Sequence, residues 1–156
     1  MNDATIAGLP ARKTWLLVVL SIVTYFVYPA HYARKLSVKL NAADPAGPKI
    51  SSGLVWTVLI AAYVGLVLFL CTAATEEDSA IDITSNVVDR IGGLLFLVWA
   101  FSARRRLNFL QKNSKESPRW VHGFWTFLFA VFYLNYKVAK LKCEAAARLT
   151  PPVLAS

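Results

Sequence analysis

From Leu54 to Ala74 the chain runs for 21 residues without a charge, and a helix of that length, rising 1.5 Å per residue, covers about the 30 Å of a bilayer's hydrocarbon core. Apolar side chains fall on every face of such a helix, so no single stripe can be buried while the rest meets water. Three further blocks share this property: Thr14 to Tyr32, Ile91 to Ala103 (reaching back to Val87 across Asp89 and Arg90), and Trp120 to Tyr136. The chain has 156 residues and is 56% hydrophobic, above the roughly 45–50% of soluble domains. It is too short to wrap four such segments in protein. The expectation is an all-α, multi-pass membrane protein with four apolar segments, two to four of them full crossings, and short basic surface helices.

The boundaries follow from punctuation. Residues 1–13 read as a polar leader, 14–142 as the membrane domain with segments near 14–32, 54–74, 87–103 and 120–136, and 143–156 as a poorly ordered tail. Arg12 and Lys13 precede the first block as they would in a secretory signal. Tyr28 and His31, however, stand where a cleavage site before or after Ala30 and Ala33 needs small residues, so the block is retained. Pro29 should bend or end it. Beyond it Tyr32, Leu36 and Leu40 recur every four residues with Arg34, Lys35 and Lys39 on other faces, which predicts a helix lying along the membrane surface. Asp44-Pro45 and Gly47-Pro48 mark a loop. Gly92-Gly93 would let helices pack closely. The third block should end at Arg104, and Ser117 with Pro118 should open the fourth as N-cap and first helical residue.

Basic residues resist translocation and mark the cytoplasmic side. Of the 17 Lys and Arg, all but Arg90 lie in the leader, the first and third connectors and the tail, whereas Glu76, Glu77, Asp78 and Asp82 cluster in the second connector. That places the basic connectors inside and the acidic loop 75–86 outside. Four crossings would leave the basic leader and tail outside with it. A mixed arrangement, in which the second and third blocks cross while the first and fourth enter and return, keeps every basic cluster inside. Both arrangements remain open from the sequence.

The net charge of +8 raises the question of nucleic acid, yet the basic clusters abut apolar blocks instead of forming a soluble stacking surface, so no nucleic-acid partner is expected. The expected partner is the bilayer, with anionic headgroups meeting Arg34, Lys35, Lys39, Arg104, Arg105, Arg106, Lys137 and Lys140, together with a membrane-protein partner or a second copy of the chain. Asp89 and Arg90 are the candidate intramembrane polar pair, because charge at membrane depth is costly unless paired or used; the other reading sets them at the headgroup boundary, where their side chains reach water. His31 and His122 lack nearby ligands for a metal. Cys71 reads as a buried apolar thiol and Cys143 as a tail thiol. No phosphate-cradling glycine loop and no nucleophile with a neighbouring base stands out, so neither an enzyme nor a cofactor is expected. The reading that remains is a non-enzymatic accessory, scaffold or membrane-shaping component, with a small oligomeric transporter or channel as the alternative.

The first and fourth blocks share a pattern: Thr24-Tyr25-Phe26-Val27 followed by Tyr28 and Tyr32, and Thr126-Phe127-Leu128-Phe129 followed by Tyr133 and Tyr136. Leu20-Ser21-Ile22-Val23-Thr24, Lys39-Leu40-Asn41, Phe124-Trp125-Thr126-Phe127 and Tyr133-Leu134-Asn135-Tyr136-Lys137 resemble small bacterial membrane proteins of the domain of unknown function 4234 family. The resemblance covers about residues 14–142. It implies a multi-pass helical protein of the bacterial inner membrane and carries no activity with it.

Overall fold

A computed structural model describes residues 6–73, 80–111 and 120–149. They form five α-helices and no strand: α1 Thr14–Val23, α2 Val27–Ala43, α3 Ser52–Thr72, α4 Ala80–Gln111 and α5 Gly123–Leu149. Two of these, α3 and α4, are long and apolar enough to cross a membrane. They pack antiparallel, with Gly65 against Asp89 and Ala61 against Gly92.

The first apolar block is not one helix. α1 ends in a left-handed cap in which Tyr25 N–H bonds Ile22 O at 3.2 Å and Phe26 N–H bonds Ser21 O at 2.8 Å, with Tyr25 at φ 44° and Phe26 at φ 63°. Such caps close helix ends by satisfying orphan carbonyls, and glycine is the usual residue at the left-handed position. Thr24 joins the two helices: its hydroxyl donates to Leu20 O at 2.6 Å and accepts Tyr28 N–H at 3.0 Å. α2 then returns beside α1, and the Tyr32 hydroxyl reaches back to Pro10 O at 3.1 Å. Pro29 therefore does not bend the block. It sits in the first turn of α2, where its missing N–H costs no helical bond, and the reversal lies just before it.

The fourth block breaks as well. Within α5, Ala130 takes φ 35°, ψ −112°, and the His122 N–H donates to the Tyr133 hydroxyl at 3.3 Å. In an unbroken helix those residues would stand about 16 Å apart along the axis. The arm before Ala130 and the arm after it therefore lie side by side. Return of these two blocks belonged to one of the two arrangements that the charge pattern left open, but composition, which reads hydropathy and not direction, placed neither turn.

Helix limits shift elsewhere for identifiable reasons. α4 does not stop at Arg104 but continues to Gln111, because Trp99, Ala103, Arg106, Leu107 and Leu110 form one buried stripe at helical spacing. The stripe Tyr32, Leu36, Leu40 of α2 is present and buried, but it packs on the protein's other helices and not on a bilayer surface. Ser117 and Pro118, the acidic residues Glu76 to Asp78 and the tail beyond 149 lie outside the described residues, while the described start of α5 is Gly123.

Three asparagines hold the helices together at one end. Asn41 exchanges two hydrogen bonds with the backbone of Ile50 at 2.8 and 2.9 Å, Asn108 with that of Val121 at 3.1 and 2.9 Å, and Asn135 with that of Arg12 at 2.8 and 3.0 Å. Each clamped residue stands two positions before a helix, namely α3, α5 and α1. A carboxamide carries both donor and acceptor, so it can satisfy one residue's N–H and C=O together, as a neighbouring strand would.

Candidate functional site

Both reversals face the same space. A cavity of about 810 Å³ lies against the α3–α4 seam and is lined by Tyr25 and Phe26 from the first reversal and by Phe127 and Ala130 from the second. Its floor is built from small residues, among them Ala61, Gly92 and Gly93, which keep side chains out of the groove.

Asp89 and Arg90, the expected polar pair, both line this cavity. They do not pair with one another; the Asp89 carboxylate instead accepts the Tyr25 hydroxyl at 2.5 Å. Gly65 makes room for it, since a Cβ there would lie 3.0 Å from the other carboxylate oxygen. The Tyr25 ring stacks on Phe69 with centroids 4.5 Å apart. A tyrosine in the left-handed region carries strain that persists only when its surroundings fix it, and here a stacked ring and a carboxylate do so. In the sequence Tyr25 stood out only as part of the pattern shared by the first and fourth blocks, and Gly65 not at all. The signal available was a tyrosine and a glycine within apolar runs, and only the packing links them to Asp89.

The basic residues divide into two groups. Arg34, Lys35, Lys39, Arg105 and Lys140 are exposed, with Arg34 stacked 4.5 Å over Trp56. Arg104 is half-buried, donates to Val121 O at 2.7 Å and lies over the Trp120 ring. Lys137 is half-buried near the Tyr133 ring, and desolvation, then the charge of Lys140, holds its ammonium below the ordinary lysine range. Arg106 is a correction: it is fully buried and so offers nothing to a lipid headgroup. Its guanidinium donates to Leu40 O at 3.1 Å, Asn41 O at 3.5 Å and Asp44 O. A cation there satisfies the orphan carbonyls and the negative dipole end of α2. The loop comes close enough at Gly47 that a Cβ would collide with Arg106 and Phe109.

Other side chains also find their places. Trp99 is buried, donates to Ser37 Oγ at 2.8 Å and so links α4 to α2. The His31 ring meets the Tyr63 hydroxyl at 2.8 Å, whereas His122 is exposed near the α5 reversal. Cys71 is exposed on α3, so the protein's other helices do not cover it, and Cys143 is exposed on α5. The two shared threonines are not equivalent: Thr24 sits at its reversal, and Thr126 lies four residues before Ala130 with its hydroxyl on His122 O. No family model, no curated protein and no solved structure matches this chain.

Proposed function

We propose that this is an integral membrane protein that crosses the bilayer twice, through α3 and α4, with the α1–α2 pair and the two arms of α5 entering and returning on the basic, cytoplasmic side. It acts without catalysing a reaction, as an accessory or scaffold component that holds a partner or shapes the bilayer. The supporting observation is the apolar surface of the two long helices: Ile60 is 58% exposed, Leu70 61% and Leu94 65%, on faces that only a lipid environment or another protein would cover. The bacterial inner membrane is the location that the family resemblance implies.

Single-cysteine labelling from outside the cell, after replacement of Cys71 and Cys143, tests the arrangement. Cysteines at positions 13, 49 and 140 should resist an impermeant reagent and one at position 77 should react. Labelling of 13 and 140 from outside would require four crossings instead. The accessory role would be abandoned if the purified protein were strictly monomeric, captured no membrane protein and left vesicles unremodelled.

The cavity favours one second reading, a small oligomeric transporter or channel, because Asp89 and Arg90 line it and charges at membrane depth commonly mark transport paths. Solute flux into proteoliposomes that vanishes in Asp89→Asn would place this reading first.

A further inference from the structure

We propose that the cavity seats a single phospholipid with a zwitterionic, primary-amine headgroup, its phosphate on Arg90, its ammonium on Asp89 and one acyl chain along the Gly92–Gly93 trough. The inference rests on the membrane reading above. Charge complementarity carries it. Asp89 and Arg90 both line the cavity without pairing to each other. Gly65, which abuts Asp89, lies seven residues before the end of α3, about 10 Å of helix. Opposite charges at that depth are costly unless each meets a counter-charge, and a headgroup with one amine and one phosphate supplies both.

The shape of the cavity agrees with that occupant. Beyond the charged pair the wall turns apolar and shallow: Gly92 has only Ala61 near its Cβ position, and the Cβ position of Gly93 faces open space. Phe96, one turn beyond Gly92 on α4, and Phe127 complete the apolar lining. The charged residues thus sit nearest the Thr72–Ala80 end and the apolar trough runs from them toward the middle of the spans, the order of headgroup and chain in the outer leaflet. Tyr25, by bonding Asp89 at 2.5 Å, fixes the carboxylate that receives the amine and ties the site to the first reversal.

The test uses the full chain in nanodiscs, with photoactivatable phosphatidylethanolamine and phosphatidylglycerol of matched acyl chains as probes, and cross-linked peptides read by mass spectrometry. The ethanolamine probe should label the segment 89–97 in preference to the glycerol probe. At Gly93 an added Cβ meets nothing within 4 Å and leucine is the better helix former, so Gly93→Leu should not lower the thermal melt while it lowers labelling roughly tenfold; Asp89→Asn should do the same to labelling, by loss of one charged contact. Equal labelling by both probes, labelling that survives Gly93→Leu, or cross-links to a second copy at this segment would overturn the lipid site. Alkaline extraction separates the two readings: a protein that leaves the membrane refutes the membrane reading itself, whereas one that stays while labelling is undirected refutes only the lipid site.

Discussion

Ala130 shows what one residue's backbone can decide. Its φ of 35° and ψ of −112° resemble the first central position of a type II′ turn, which favours glycine. Strain of this kind costs about 1–3 kcal/mol, against the 0.4–1 kcal/mol that a glycine adds to unfolded-chain entropy. Ala130→Gly should therefore stabilise by about 1 kcal/mol, seen as a higher melting temperature in detergent, while Ala130→Val should lower it. Tyr25 illustrates the opposite case, where strain is kept for a contact. Tyr25→Phe preserves the ring stacked on Phe69 but removes the bond to Asp89, and should destabilise by about 2 kcal/mol. Asp89→Asn should cost less, because an amide oxygen still accepts that hydroxyl.

Elements here are joined by polar groups that composition does not reveal. The three asparagine clamps follow buried leucines in Leu40-Asn41, Leu107-Asn108 and Leu134-Asn135, and each holds the segment two residues ahead of a helix start. Asn135→Ala would leave the N–H and C=O of Arg12 without their partner and should destabilise by about 2 kcal/mol; Asn135→Asp keeps the acceptor but sets a buried carboxylate oxygen against the Arg12 carbonyl, and should cost at least as much. The recurring Leu-Asn pair at the basic flank of three apolar blocks was visible in the sequence, but its meaning was not, since the clamped residues lie 9, 13 and 123 positions away. Arg106 is comparable. Within Arg104-Arg105-Arg106 all three look alike, and helical spacing from Trp99 turns only the last fully inward. Replacing it by alanine removes the donors of three carbonyls of α2 and its flank, a loss of about 3 kcal/mol.

For the whole molecule, the decisive question is what covers the apolar faces of α3 and α4. Ile60 is exposed midway along α3. In a bilayer, Ile60→Asp should hinder insertion by about 3 kcal/mol and reduce the membrane-bound fraction after alkaline extraction. In a soluble protein the same change would improve solubility, so fractionation of this one variant separates the two environments. The exposed Arg34, Lys35 and Lys39 occupy the α2 flank. With the buried Arg106 excluded, the basic end has fewer free cations than the sequence suggested. The arrangement of two full-length helices flanked by two reversals reconciles charge distribution with helix length, because each reversal returns its basic flank to the side it left.

By itself the sequence determined the helical class, the place of α3 and of the apolar centre of α4, and the ends at which charge gathers. Those properties depend on hydropathy summed over neighbouring residues, and a local pattern carries them. Tertiary structure alone decided that the other two apolar blocks reverse at Tyr25–Phe26 and Ala130, that both reversals line one cavity with Asp89 and Arg90, and that Arg106 turns inward. Each of those outcomes rests on a few backbone angles or on contacts between residues far apart in the chain, which hydropathy does not encode.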